Sequence, residues 1–459
     1  MSKLRRIAFV GNSLPRRCGI ATFTSDLQQA VAASRTSVET SIVAMSDFEQ
    51  DYDYPESVGF EIQDNEPEDY IRAAKSLNAG KFDVVSLQHE FGIFGGAAGA
   101  HVLTLMSRVT MPIVTTLHTV LANPTRIERD VMDGVIKAST KVVVMATKAH
   151  ELLRTVYNVP ADKIDVIAHG IPDVAFVEPD DAKAMLGYAG KSVILTFGLL
   201  SPNKGIEVMI DAMPGILQSC PNAVYLVLGA THPNLVRTDG EAYRRKLINR
   251  AEALGVSKQV IFIDQFVDRD TLLGYIAMCD VYATPYLAEA QMTSGTLAYS
   301  FGMGKAVVST PYWHAKELLA DGRGVLVPFG NSKIIGAEIA DLLTDDARRH
   351  AMRERAYSTG RSMIWPRIAE RYLAVFESVQ RDNRLKLIAG GEPRLATHAP
   401  TRLPGIIAHR RNMLCSDLGE PCGRMSCQTW FTTCDQLEAI IPLNALKDNW
   451  RRNSGSSDR

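Results

Sequence analysis

Two doubly wound α/β domains facing each other across a cleft are what this 459-residue chain predicts. Three observations carry that expectation. The length exceeds one ordinary domain and suits two. Short apolar runs alternate with loops and amphipathic stretches from residue 6 onward, and a fresh alternation of the same kind begins at residue 193. The loops that leave these runs are small and polar, with histidine or lysine at several strand ends, and open α/β sheets bind ligands at that edge.

Composition narrows the classes. With 46% hydrophobic residues, 22% charged residues and a net charge of −1, the chain reads as a globular protein with no global argument for nucleic acid. No apolar run approaches the roughly 18 residues that a membrane span needs. The start, MSKLRRIAFVGNS, has only the four-residue apolar run Ile7-Ala8-Phe9-Val10 before Gly11 and reads as a first strand rather than a signal peptide. Cys18, Cys220 and Cys279 are scattered singly, as in a reduced cytosol. Cys415, Cys422, Cys427 and Cys434 cluster without a CxxC pair, so a zinc site is not expected there.

Taken in order, Arg6 to Val10 is the first strand, and Ile20 to Ala33 is an amphipathic helix. The loop between them holds Arg16, Arg17 and Gly19, which suit an anion or an acceptor and equally suit a solvated turn. Thr40 to Met45 is a second strand. Asp51-Tyr-Asp53 has the form of a metal-binding DxD but lies in an acidic run, so it reads as a solvated loop. Phe82 to Gln88 is a buried strand delivering His89 and Glu90, and Pro112 to Leu117 delivers His118. Lys141 to Met145 is another strand, followed by a helix start at Ala146, and Asp165 runs through His169-Gly170 into a turn. Residues 178–190 are polar and read as the hinge, which sets the first domain at 1–190 and the second at 191–363.

In the second half, Val193 to Phe197 ends at Gly198, and a loop with Lys204 and Gly205 opens the helix Ile206 to Leu217. A fixed cation beside free helix-end amides suits a diphosphate. Strands at Tyr225 to Leu228, Gln259 to Ile263 and Asp280 to Thr284 follow. The stretch Gln291 to Pro311 organises the rest. Its small polar start, Thr293-Ser294-Gly295-Thr296, opens a helix, Gly302 and Gly304 close it, and Ala306 to Thr310 is the next strand.

The order GLLSPNKG, YLVLG, VIFIDQFV, CDVYATP and GKAVVSTP resembles the donor half of the family-4 (group 1) glycosyltransferases of the GT-B fold, in a mannosyltransferase-like subgroup. VIAHGIPD is similar to that family's hinge-proximal asparagine-glycine turn, with His169 replacing asparagine. His118 resembles its active-site histidine. The resemblance covers roughly residues 4 to 380. It implies two Rossmann-like domains, a crossing helix at 364–382 that returns to the first domain at Trp365-Pro366, and transfer of a hexose from a nucleotide sugar such as GDP-mannose or a UDP-sugar. The acceptor would be a carbohydrate or a lipid-linked one. The reaction would be retaining and metal-independent, in the cytoplasm, with peripheral contact at the inner membrane face compatible with it.

Mapped residue by residue, that resemblance implies Lys204, Gly198 and the Thr293-Ser294-Gly295-Thr296 amides at the phosphates, Gln291 and Glu289 at the donor sugar, and Tyr299 at the ribose. His118 and Glu289 would be catalytic. Arg16, Gly19, His89 and Glu90 would stand on the acceptor side. The family's usual glutamate pair falls at Gln291 and Tyr299, and its phosphate-binding arginine at Leu199, so the donor site departs from the family pattern. Those departures keep open a nucleotide-sugar-binding protein without turnover, or a glycoside phosphorylase or epimerase on the same fold. Beyond Arg381 the alternation stops, and 383–459 reads as an irregular, disordered or partner-binding tail, or as a reading-frame change near Gly391.

Overall fold

The computed structural model describes residues 4–47 and 52–389. Its first half contains β1 (Arg6–Gly11), α1 (Gly19–Ser34), β2 (Glu39–Ser46), β3 (Val58–Gln63), α2 (Pro67–Ala79), β4 (Val84–His89), α3 (Val102–Met106), β5 (Ile113–Leu117), α4 (Arg126–Ala138), β6 (Lys141–Val144), α5 (Thr147–Thr155) and β7 (Ile164–Val166). These seven strands form one sheet in the order β3-β2-β1-β4-β5-β6-β7, and every neighbouring pair is parallel. The central strands are buried on both faces, which is why they read as continuous apolar runs.

The second half repeats the design. It contains α6 (Pro179–Met185), β8 (Ser192–Phe197), α7 (Ile206–Ser219), β9 (Ala223–Leu228), α8 (Pro233–Asp239), α9 (Ala242–Ala253), β10 (Val260–Ile263), α10 (Arg269–Met278), β11 (Val281–Thr284), α11 (Gly295–Gly302), β12 (Ala306–Ser309), α12 (Trp313–Leu318), β13 (Val325–Leu326), α13 (Ser332–Thr344) and α14 (Asp346–Gly360). The order is β10-β9-β8-β11-β12-β13, again parallel throughout. Strand order reverses between β1 and β4 in one sheet and between β8 and β11 in the other. Ligands bind outside the carboxyl ends of strands at such points. The loops there are 12–18 and 90–101 in the first half, and 198–205 and 285–294 in the second.

The stretch 178–190 is not an open hinge. It forms α6, whose Ala182 packs with Leu273 and Ile276 of α10. Its buried Lys183 pairs with Asp280 at 2.8 Å, while Asp280 also accepts the Val193 amide at 2.7 Å. The crossing between the halves therefore lies just before α6. A second crossing lies beside it. Ile171 bonds through its N–H to Met363 O and through its O to Trp365 N, both at 2.9 Å, so the two passages form one bridged pair.

The returning helix, α15 (Trp365–Ile388), starts with proline in its first turn and buries Trp365, Ile368, Ala369, Tyr372, Leu373, Phe376 and Val379. That stripe packs with Phe9, Phe23, Val114 and Val143 of the first half, and the Tyr372 hydroxyl shares a hydrogen bond with Thr116 at 2.9 Å. The helix is longer than expected: 383–388, assigned from sequence to the irregular tail, are its last turns. The remainder of the tail, with its four cysteines, lies outside the described residues, as does Asp51 of the DxD.

Close backbone approach sets the packing of α11 on α14. A Cβ on Gly360 of α14 would meet the Gly302 Cα of α11 at 2.7 Å and its carbonyl oxygen at 3.1 Å. Neither is a flexible side-chain end, so the helices must part. Gly360→Ala is expected to cost about 1–3 kcal/mol by overpacking, read as a lowered urea midpoint with an unchanged slope.

Candidate active site

On the second half, β8 ends at Phe197 and the chain turns through Gly198, which has a left-handed φ of +118° and lies against Thr296. Pro202–Lys204 makes one tight turn, and Gly205 (φ +64°) opens α7. A Cβ on Gly205 would stand 2.0 Å from Pro285 O, so only glycine lets this loop lie on the loop after β11. Leu287 N donates to Asn203 O at 3.0 Å and ties the two loops together.

This packing connects Lys204 to the serine-glycine turn. Lys204 Nζ donates to Tyr286 Oη at 2.8 Å, Tyr286 Oη shares a hydrogen bond with Thr296 Oγ1 at 3.0 Å, and Thr296 Oγ1 shares one with Ser294 Oγ at 3.1 Å. Burial works to raise the Tyr286 phenol. The Lys204 charge and hydrogen bonds from Lys204, Thr296 and Ser294 outweigh it, and its pKa falls to about 8. Ser294 caps α11, its Oγ accepting Leu297 N at 3.3 Å. Its own N–H donates to His314 Nδ1 at 2.9 Å. The Ser294 amide is thus already satisfied, and the first-turn amides of Gly295 and Thr296 are those α11 presents at its start.

On the first half, His118 Nε2 lies 3.0 Å from Gln88 Oε1, and Gln88 Nε2 donates to Ser86 Oγ at 3.4 Å. That second bond orients the amide so that Oε1 faces the imidazole, which puts the His118 proton on Nε2 and a lone pair on Nδ1. Gln88 is fully buried. Gln88→Leu removes the acceptor and is expected to lower kcat about tenfold or more by freeing the tautomer, at a stability cost of about 1–3 kcal/mol for the unsatisfied N–H. Donor KM should move far less than kcat, and steady-state kinetics beside a urea titration checks both.

Phe23 of α1 joins the two sides. Its ring meets the His118 ring edge-on at 4.9 Å, the His169 ring at 5.1 Å and Trp365 at 5.4 Å. His169 in turn lies against the serine-glycine turn, since a Cβ on Gly295 would stand 3.0 Å from its Nε2. His118, His169 and the start of α11 therefore surround one spot between the two sheets. Burial first, then the charges of neighbouring histidines, push His118 down to about 3 and His314 to about 3. Burial pushes His169 to about 4 against a hydrogen bond between Nδ1 and Gly170 O. All are neutral at pH 7, so His314 can accept the Ser294 amide.

The other expected residues are held in contacts of their own. His89 is fully buried, stacked on Phe94 and edge-on to Phe91, with both ring nitrogens unpartnered, so it belongs to the core and not to an acceptor wall. Glu90 is half-buried. It accepts Thr119 Oγ1 at 2.6 Å and the Phe91 amide at 3.0 Å, and burial raises its pKa. Arg16 is fastened to Asn12, Met45 O and Asp47, while Gly19 is exposed. Tyr299 does not offer its hydroxyl to a ribose: it is buried and donates to Asp26 of α1 at 2.6 Å. Glu289 is exposed and paired with Lys316 at 2.6 Å, so its carboxylate is engaged by that ammonium. Gln291 Nε2 donates to Thr293 O at 2.7 Å, and Thr293 Oγ1 is buried without a partner. Sequence reasoning missed Gln88, Tyr286, His314 and Asp26, each of which acquires its role only through a partner distant in the chain. Among the described residues, no group of three or more His, Cys, Asp or Glu side chains is set to hold a metal ion.

Two family models match consecutive stretches of the chain. Glycosyltransferase Family 4 matches residues 19–174, and Glycosyl transferases group 1 matches residues 178–359. A phosphatidyl-myo-inositol mannosyltransferase of Mycobacterium leprae is 27% identical over 323 residues, covering 68% of this chain and 78% of the relative. A D-inositol 3-phosphate glycosyltransferase of Jonesia denitrificans is 24% identical over 336 residues, covering 67% and 74%. Anabaena Alr3699/HepE in complex with UDP superposes with a TM-score of 0.63 at 17% identity over 81% of this chain and all of that one. Sucrose-phosphate synthase from Thermosynechococcus elongatus superposes at 0.68 and 16%, over 82% of this chain and all of that one.

Proposed function

Since the chain belongs to the GT-B glycosyltransferases that join a family-4 domain to a group 1 domain and take a sugar from a nucleotide-sugar donor, we propose that the sugar is a hexose, mannose first, passed with retention to a carbohydrate or lipid-linked acceptor. The observation that carries the site is the hydrogen-bonded run Lys204–Tyr286–Thr296–Ser294 at the start of α11, with His118 across Phe23 and His169 from it. Lys204, the Tyr286 hydroxyl and the Gly295 and Thr296 amides would hold the diphosphate and take up the charge that grows as it leaves. One ammonium, one phenol and two amides supply this, so the proposed reaction does not call on a metal. His118, neutral and held by Gln88, would offer Nδ1 to a hydroxyl of the transferred sugar or of the acceptor. Arg16 and Glu90 would border the acceptor.

Mannose and a lipid-linked acceptor are supported by the names of the mycobacterial relatives. Work in the cytoplasm, peripheral at a membrane face, fits such an acceptor, and no helix among the described residues is long and apolar enough to cross a membrane. A second reading, binding without turnover, is favoured by the ion pair that holds Glu289 on Lys316. The test is a thermal-shift screen across GDP- and UDP-sugars, followed by nucleoside diphosphate release with acceptors and NMR of the product anomer. Binding with no release would favour the second reading, and an inverted product would remove retention.

A further inference from the structure

α5 begins with an alanine where a capping residue belongs. Its N-cap, Ala146, has no side-chain acceptor, and the first amides of this nine-residue helix are satisfied from the other half of the molecule. Glu317 of α12 accepts Thr147 N on Oε2 at 2.8 Å and Lys148 N on Oε1 at 2.7 Å. Trp313, one turn earlier on α12, packs against the first-half core, with Lys148 Nζ 6.0 Å from its ring centroid. Met292 is buried in the same core.

The same short helix also holds the donor loop. Trp313 N donates to Glu289 O at 3.0 Å and His314 N to Gln291 O at 3.3 Å. His314 Nδ1 accepts the Ser294 amide, and Lys316 pairs with Glu289. One end of α12 thus fixes residues 289–294, and the other grips the first half through a carboxylate on two helix-end amides, a charge-assisted contact.

We propose that Glu317 is a positioning residue that couples closure of the two halves to the setting of the donor loop. The inference rests on the donor site described above. In an opened molecule the α5 amides and the Glu317 carboxylate both return to water, and α12 loses its hold on the first half. The Ser294–Thr296 turn is then no longer carried toward His118. Glu317 touches neither donor nor acceptor in this account, so its loss slows turnover and spares nucleotide binding.

The test compares the full-length chain with Glu317→Gln and Thr147→Pro. Glutamine keeps the shape but removes the charge. Proline removes one amide from the opposite side, and the site suits it: Thr147 is exposed, opens the helix, and follows Ala146 in an extended conformation (φ −141°, ψ 147°). Three readouts are needed: UDP and GDP affinity by calorimetry, kcat with donor KM, and radius of gyration by small-angle X-ray scattering with and without nucleotide. Both variants should bind the parent's preferred nucleoside diphosphate within about threefold of the parent, lose about tenfold in kcat, and scatter as more open particles. Parent-like kcat in both variants overturns the proposal, as does a fall in kcat with an unchanged radius of gyration. A parent chain that binds neither nucleotide would strike the donor site instead, and the radii without nucleotide would still decide the latch.

Discussion

Lys204→Ala should raise the dissociation constant for the nucleotide-sugar donor by about two orders of magnitude. A charge-assisted hydrogen bond contributes about 1.5–3 kcal/mol when its partner is desolvated, and each 1.4 kcal/mol is tenfold. The lysine also holds the Tyr286 phenol down to about 8. In the unliganded protein that phenol therefore ionises near pH 8 instead of near 10. A bound diphosphate adds negative charge beside it and favours the protonated form. Donor affinity must then fall as pH rises through about 8, by up to about tenfold per pH unit. Tyr286→Phe removes that pH dependence, and Lys204→Ala moves the phenolate absorbance step upward. Calorimetry at pH 7 and pH 9, with near-ultraviolet titration, checks all three results. A donor affinity within threefold of the parent in Lys204→Ala would take the lysine out of the site.

Mild acid should destabilise the fold steeply. His89, His169 and His314 are buried and hold native pKa values of about 4, 4 and 3, against an ordinary 6.5. Below about pH 6.5 the unfolded chain takes up protons that the native state refuses. The stability these residues preserve is complete above that value and is lost as pH falls toward 4. Each group contributes roughly 1.4 kcal/mol per pH unit inside the window, so the three together cost about 4 kcal/mol per unit. His118 is half-exposed and is left out of that sum. Asp26 and Glu90, whose pKa values burial raises, act in the opposite sense at the low end and soften the loss there. Against a typical stability of about 5–15 kcal/mol, the loss of about 6 kcal/mol by pH 5 removes a large part of the margin. Urea titrations at pH 7, 6 and 5.5 test this. A midpoint that does not move would mean that these rings are reached by water.

The parallel strands were legible because strands buried on both faces leave continuous apolar runs, as in Ile7-Ala-Phe-Val and Val193-Ile-Leu. What escaped reading was half-exposed. β3, Val-Gly-Phe-Glu-Ile-Gln, is an edge strand with one fully buried residue, and α4 carries its core stripe on only Val131, Met132, Val135 and Ile136 among charged neighbours. The helix start at Ser294 was legible because small polar residues opening a helix have local meaning. Tyr286, His314 and Gln88 were not, because a buried tyrosine, histidine or glutamine reads the same in sequence whether it packs a core or orients a neighbour. Tyr299 failed for a related reason. Counting positions along a motif finds the residue, but only the approach of α1 shows that Asp26 takes its hydroxyl.

The paired passages at Ile171 and Ile364, with α15 seated on the first sheet, bear on how such proteins can be recombined. The first lobe is discontinuous in the gene: its last helix is encoded after the entire second lobe. A chimera that exchanges everything downstream of residue 175 imports a foreign α15 and leaves Phe9, Phe23 and Val143 facing a mismatched partner. A workable graft replaces an internal cassette, cut once before α6 and again between α14 and Trp365, so that the host keeps its own closing helix.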